Sequence, residues 1–503
     1  MHHDLIKIFY DQDFQVNQIW LNGAQLEVQS VNKKFLSAIH SLASTNPGAY
    51  ILWSAIDAKP ALSDSEILAL PQHSSELLFW YPNAEKSPLQ QLGYVFFDEP
   101  FFKKNNGGSW ATWLAEFNAG MVHASVINQH HHLKRLDNIK LWILILAHQG
   151  MQTGLFPHFD ERLQNAGAKN NHLNTKELFQ FIGLTMKKKW LIHFWMCLLW
   201  FQGKFTFAPL LLAFFSKNIE DCSIKTSMVT LKTKPLETID VVIPTLQRKR
   251  YLARVLEDLT LQTLMPKKII IIEQHPDKEA TSELDDLLTK SYPFEIEHKF
   301  IHQLGACNAR NLALSMATAK WIFFADDDIE FHSDLLKSVL LEMNKYGVKG
   351  AKISSFQPSE TVVPNNTIRT SKSFGTGAGI CINSKLLQFD KGFELGYGED
   401  ADFGVQIRNH FGHILQFDKH PILHHKAPSG GFRFKKTHPW QKVGERPAPA
   451  PQMMYFYLKN MTDIQTQGYF WFYLFPKTAS QLLRLRKAKN AWNNSLKWAK
   501  TLA

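Results

Sequence analysis

This chain has few cysteines, no apolar core at its N-terminus and no apolar run long enough to cross a membrane. Its four cysteines, Cys197, Cys222, Cys307 and Cys381, lie far apart and form no CxxC pair. That argues against a disulfide framework or a cysteine zinc site and fits a reducing compartment. The opening MHHDLIKIFYDQDF lacks the apolar segment of an export signal, so a cytoplasmic location is expected. The most apolar stretch, residues 187–216, contains WLIHFWMCLLWF, which is only 12 residues long and includes His193. Gln202, Gly203 and Lys204 then separate it from FTFAPLLLAFF, whereas a spanning helix needs about 20 continuous apolar residues. Two readings stay open. Lys187, Lys188 and Lys189, with the tryptophans, suit an interfacial segment on anionic lipid, a peripheral contact with the inner membrane surface. A buried core helix with a cationic flank fits as well.

Disorder is not expected, because hydrophobic residues make up 45% of the chain and charged residues 20%. At about 100–200 residues per domain, 503 residues leave room for two or three domains. The net charge of +11 favours anionic partners and by itself selects none. Aromatic and basic residues interleave in GFRFKK and LLRLRKAKNAW. No recognised nucleic-acid-binding module accompanies them, so no nucleic-acid partner is expected.

A polar stretch at residues 222–236 marks a boundary between an N-terminal α/β domain, 1–225, and a second domain, 236–446. In the second domain strands and helices alternate. IDVVI at 239–243, the isoleucines 269–272 and WIFFA at 321–325 read as buried strands, and residues 300 and 301 open another. Helical spacing spans 251–259, and NARNLALSMATA at 308–319 reads as a helix. This order implies a mainly parallel sheet covered on both faces, with ligands at the carboxyl ends of its strands. After the hinge RPAPAPQ, residues 447–503 read as a helical basic tail, either a membrane-surface helix or one packed on its own domain. In the first domain, NPGAYILWSAIDAKPALSD echoes ATAKWIFFADDDIEFHSD, and FNAGMVHASVI loosely echoes GTGAGICINSKLL. That suggests a degenerate internal copy. Only Asp57 stands there where the second domain has three aspartates, a poor site for a divalent metal.

Those three, Asp326, Asp327 and Asp328, follow WIFFA directly. Adjacent carboxylates repel unless a cation offsets them, and carboxylate oxygens suit Mg or Mn. A solvated acidic turn is the plainer reading, but a buried strand would aim the carboxylates rigidly at a cleft. The first βα turn, IPTLQRKR, has no glycine cradle for a diphosphate. A diphosphate here would need a metal and cationic side chains, and the triplet and Arg310 could supply both. GEDADF contributes Glu399 and Asp400, which could also be a helix start favoured by the dipole. His424 and His425 end a strand-like PIL, and strand alternation lets only one of them face a metal. GTGAG, containing Gly377, allows close backbone approach to a ligand or forms a plain tight turn. KAPSGGFRFKK reads as a lid bringing Arg433 and Lys435 onto a diphosphate, or as a mobile basic loop.

The segment from Glu237 to His438 resembles glycosyltransferase family 2, with a GT-A fold. IDVVIPTLQRKRYLARVLEDLTLQT resembles its first strand and helix, LGACNARNLALSMATAKWIFFADDDIEF the stretch ending in its DxD motif, GYGEDADFGVQIRNHFG its ED motif, and ILHHK its late metal-binding histidine. The resemblance implies a Rossmann-like, mainly parallel sheet. It also implies a nucleotide-sugar donor, a UDP-sugar first among them, a divalent metal, and a saccharide or lipid-linked acceptor, in the setting of surface polysaccharide synthesis. By the same resemblance Pro244, Thr245 and Arg248 line the nucleoside pocket, Arg310 faces the nucleotide and Asp326 lies near the ribose. Asp328 is the metal ligand proper, Asp327 fills the variable middle position, Asp400 is the base with Glu399 beside it, and His424 or His425 completes the metal site. One departure is IIIIEQHPD, where Glu273 stands in for an aspartate that reads the base. An aspartyl-phosphate phosphatase is disfavoured by Ile329 and Glu330 after the triplet. A non-catalytic nucleotide-sugar binder is the remaining alternative.

Overall fold

The computed structural model describes all residues except 1–2, 28–33, 72, 83–85, 103–107, 165–171, 220–234, 362–364, 366, 428–437, 443–445, 479–481 and 503. Cys222, Arg433 and Lys435 therefore lie outside the described residues, as does the proposed lid. The chain divides into two compact units, Met1–Leu231 with Met461–Ala479, and Lys232–Asn460 with Ser480–Ala503. The tail does not form a unit of its own but is shared between the two.

The first unit is built on β1 (Leu5–Tyr10), β2 (Val16–Leu21), β3 (Ala24–Leu26), β4 (Tyr50–Ala55), β5 (Glu76–Trp80), β6 (Trp110–Ala111), β7 (Ala119–His123) and β8 (Phe156–Phe159). They form one sheet in the order β3-β2-β1-β4-β7-β5-β8-β6. Its core is aromatic: Trp53, Trp113 and Trp142 are fully buried. Gly120 on β7 leaves the space that the Trp53 ring fills from β4, since a Cβ there would lie 2.2 Å from the ring. The tail helix Asp463–Thr478 packs in this unit, with Gln465 Nε2 donating to the carbonyls of Phe96 (3.1 Å) and Glu99 (2.6 Å).

The second unit contains β9 (Ile239–Leu246), β10 (Lys268–Gln274), β11 (Glu295–Ile301), β12 (Trp321–Ala325), β13 (Ile329–Glu330), β14 (Gly350–Phe356), β15 (Arg369–Thr370), β16 (Ala378–Ile382) and β17 (Ile414–His424). The sheet order is β11-β10-β9-β12-β16-β14-β17-β13, with β15 on β17. Four strands, β11, β10, β9 and β12, run parallel, as the helices between them require. From β16 onward the sheet becomes mixed, where antiparallel strands replace the βαβ alternation. Phe300 and Ile301 close the third strand rather than open it. The helix Leu482–Ala499 turns Ala488, Ala491, Trp492, Ser495 and Ala499 inward at helical spacing, so it is packed rather than fully solvent-facing.

The two sheets share a pairing pattern. In the first, β1 runs parallel to β4, β4 antiparallel to β7, β7 antiparallel to β5, β5 parallel to β8, and β8 antiparallel to β6. In the second, the same senses recur through β9, β12, β16, β14, β17 and β13. The echoed segments fall on equivalent strands, YILWSA with WIFFA and AGMVH with AGICI. The edges differ: an antiparallel hairpin, β2–β3, stands where β10 and β11 extend the second sheet. Asp57, just beyond β4, is exposed.

Candidate active site

The aspartates lie at the carboxyl end of β12, whose five residues are all buried. The Asp326 backbone N–H donates to the Gly377 carbonyl at 3.1 Å, continuing the β12–β16 pairing by one step. Gly377 leaves room for the Asp326 carboxylate, because a Cβ there would sit 2.0 Å from Asp326 Oδ2 and push it aside. Across from it, Arg310 Nη2 lies 3.4 Å from Asp326 Oδ1, and its guanidinium rests 5.6 Å over the Phe389 ring. Arg310 is 3% exposed, and among the described residues its Nε and Nη1 have no hydrogen-bond partner. A buried cation with unpaired donors at a cleft is a place prepared for an anion.

Asp327 points elsewhere. Its Oδ2 accepts from the Thr245 hydroxyl at 2.7 Å and its Oδ1 from Arg248 Nη1 at 2.8 Å. It ties the end of β9 to the end of β12. Burial pushes its carboxyl up to about 6 despite Arg248 and Thr245. Asp328 accepts from the Ala427 N–H at 2.9 Å, and its Oδ1 lies 3.0 Å from His424 Nε2. Burial would raise the Asp328 carboxyl, but His424, the Ala427 N–H and Arg248 together hold it below its ordinary range. Asp326 moves the other way, raised by burial against the pull of Arg310.

Asp326, Asp328 and His424 each offer one ligand atom within 4.8 Å of the others, the one such group among the described residues. His425 is not part of it. Its ring turns to Glu330 at 3.0 Å, while its backbone N–H donates to the Asp328 carbonyl. Two carboxylates and an imidazole make a donor set for a divalent cation, and the mutual repulsion of the carboxylates is what a cation would relieve.

Glu399 and Asp400 open the helix Glu399–Phe411, which starts at Gly398 with φ 112°. Asp400 Oδ1 accepts from the Thr376 N–H at 3.2 Å and from the Thr376 hydroxyl. Burial, with Asp400 beside it, pushes the Glu399 carboxyl up to about 7. These groups share a cleft of about 420 Å³ with Pro244, Arg248, Arg310 and the triplet. All the expected cleft residues with described positions line it except Glu273 and His425.

Glu273 is a correction to the sequence reading. Its carboxylate accepts from Ser282 Oγ (2.6 Å) and the Glu283 N–H (2.9 Å), and pairs with His298 (2.9 Å), and it does not line the cleft. The next residue on β10, Gln274, lines the cleft and accepts from the Gly305 N–H at 2.6 Å.

Residues 240–399 match Glycosyl transferase family 2. The matched segment takes in all of β9 but its first residue, the triplet and Glu399, and covers the smaller part of the chain. No curated protein matches the chain. Among solved structures, S. aureus TarS 1–349 in complex with UDP-GlcNAc is 15% identical with a TM-score of 0.38, over 52% of this chain and 81% of that one. Another structure of S. aureus TarS 1–349 is 16% identical with a TM-score of 0.32, over 37% of this chain and 60% of that one. GalNAc-T7 with UDP, GalNAc and Mn2+ is 12% identical with a TM-score of 0.38, over 56% and 60%.

Inside the matched segment, two residues that hold the cleft side chains in place are not evident from the sequence. Glu394 caps the helix Ala306–Met316, which carries Arg310, by accepting from the N–H groups of Cys307 (3.2 Å) and Asn308 (2.8 Å). Gly305, at φ 137°, makes room for that carboxylate. Thr376 is the second, through its hold on Asp400. The glycine at 305 before a helix start was a signal for the first; only the fold reveals the second.

Proposed function

We propose that the second unit is an inverting, metal-dependent glycosyltransferase that moves a sugar from a nucleotide-sugar, a UDP-sugar first, to a saccharide or lipid-linked hydroxyl. One observation carries this reading. The Asp326–Asp328–His424 group, the Arg310 donors that have no partner among the described residues, and the Glu399–Asp400 pair converge on one cleft at the strand ends.

A divalent cation held by Asp326, Asp328 and His424 would supply positive charge against the diphosphate leaving group. Arg310 adds fixed positive charge from a buried position, where it needs no reorganisation as the leaving group departs. Arg248, held by Asp327, lines the nucleoside side of the cleft. Asp400, steadied by Thr376, takes the proton from the acceptor hydroxyl while that oxygen bonds to the anomeric carbon. The bond from that carbon to the diphosphate breaks, and its electron pair leaves with the nucleoside diphosphate. One base suffices, because a charge-stabilised diphosphate leaves without a proton, unlike the leaving group in glycoside hydrolysis. Glu399, whose carboxyl burial and Asp400 push up to about 7, can hold a proton and donate a hydrogen bond to a sugar hydroxyl.

The test is a panel of nucleotide-sugars with Mn or Mg, scored for nucleotide release by the native chain. Metal-stimulated release from one donor class supports the reading. Donor binding with no release under any acceptor would point to a non-catalytic binder, and phosphate release from a generic ester to a phosphatase.

A further inference from the structure

Among the described residues, fourteen large hydrophobic side chains are exposed, and eight of them fall between Ile192 and Phe215 in the first unit. Trp200 is 67% exposed, Phe205 74% and Phe215 78%. Scattered exposed apolar residues are ordinary, but a concentration of this kind marks a contact surface.

Two short helices carry it. Lys189–Gln202 buries Leu191, Phe194, Cys197 and Leu198 against the core and turns Ile192 and Trp200 outward. Phe207–Phe214 reads FAPLLLAF and buries only Ala213. Gly203, at φ 63°, ends the first helix. Lys188 fastens the far end, its Nζ donating to the carbonyls of Gly183 (2.8 Å) and Ser216 (2.5 Å). The arrangement is held by its own polar contacts, with the apolar side chains left facing water. The first helix also lines an apolar cavity of about 250 Å³ with Trp471 and Phe472.

The charge around this face has one sign. From Lys187 to Ile219 the chain has five lysines and no carboxylate. Lys187, Lys189, Lys204 and Lys217 are exposed, and Lys189 Nζ lies 5.2 Å over the Trp190 ring. No helix among the described residues is long and apolar enough to cross a membrane. We infer that this face is a docking surface for a lipid bilayer bearing anionic headgroups. The aromatic and leucine side chains enter the headgroup–acyl boundary and the lysines meet the phosphates, the pattern of a helix lying in the interface. A second copy of the chain fits less well, since a two-fold contact would set the same lysines against each other.

The experiment is co-sedimentation of the full chain with vesicles of phosphatidylcholine alone or mixed with phosphatidylglycerol. Three proteins are compared: native, Phe205→Ser/Phe215→Ser and Lys204→Glu/Lys217→Glu. The native chain is expected to sediment with the anionic vesicles and far less with the neutral ones, with binding weakened by salt. Removing the two aromatics should lower vesicle affinity by about tenfold or more, and reversing the lysines should abolish the preference for anionic lipid. Thermal melts check that both variants fold. Nucleotide-sugar binding in solution, expected to persist in both, keeps this result separate from the transferase reading. A native chain left in the supernatant with both vesicle types overturns the inference. So does equal sedimentation of all three proteins, or a dimer in sedimentation equilibrium that Phe205→Ser/Phe215→Ser dissolves.

Discussion

Arg248 and Asp327 form an ion pair at 2.8 Å in which the aspartate is almost fully buried, and the same Nη1 lies 3.3 Å from Asp328. The middle aspartate of the triplet thus ties two strand ends together, while its neighbours offer their carboxylates beside His424. Removing Asp327 takes away the hydrogen bonds that tie the two strand ends and leaves Arg248 its longer contact with Asp328. Asp327→Ala is therefore expected to lower stability by about 1–3 kcal/mol in urea unfolding. Mn affinity, measured on folded protein, should change little. Unchanged stability with lost Mn affinity would place Asp327 among the metal ligands instead.

The two histidines provide a matched pair of variants. His424 meets Asp328 and His425 meets Glu330, on opposite sides of the strand end. His424→Ala should weaken Mn binding by at least about tenfold, the scale at which even supporting partners of metal ligands act. His425→Ala should leave it near native. Calorimetric Mn titration of both proteins distinguishes them, and the reverse order would contradict the assignment.

Gly377→Ala adds one methyl where the nearest atom is an Asp326 carboxylate oxygen, 2.0 Å away. Asp326 must swing aside. Turnover is expected to fall by about a hundredfold, the cost of misplacing an active-site group by an ångström. Circular dichroism should stay native. Full activity would mean that Asp326 can move without consequence.

Glu399 makes stability depend on pH. Its folded value, raised by burial and Asp400 to about 7, lies above the ordinary 4.5. The folded state therefore holds the proton more tightly than the unfolded chain. The resulting stability is complete below about 4.5 and is lost as pH rises through about 7. The difference is on the order of 3 kcal/mol. Glu399→Gln, which cannot ionise, should lack this component, so the gap in unfolding free energy between native and variant should change between pH 5 and pH 8. A constant gap would contradict the raised value.

How legible the site was depended on whether a residue's role is set locally. WIFFA could be read because five buried apolar residues running into three aspartates describe a strand end without further context. The His424–His425 choice reduced to strand alternation, and only pairing with β13 shows which ring faces Asp328. Glu273 was misplaced for the same reason: neighbours on a strand face opposite ways, and no local pattern says which faces the cleft. Glu394 and Thr376 act across 87 and 24 residues of chain, so their partners appear only once the sheet is assembled. The tail read correctly as helical, but its division between two units depends on packing surfaces that a helical pattern does not encode.

The most direct test of the central claim separates donor binding from transfer in two variants of the same cleft. Calorimetry with Mn and the UDP-sugar that the native chain turns over would be run on Asp328→Ala and Asp400→Asn, alongside sugar transfer. Asp328→Ala is expected to lose Mn-dependent donor binding. Asp400→Asn should bind donor as the native chain does while transfer falls by at least about a hundredfold. Full transfer by Asp400→Asn, or unchanged Mn-dependent binding in Asp328→Ala, would contradict the site as assigned.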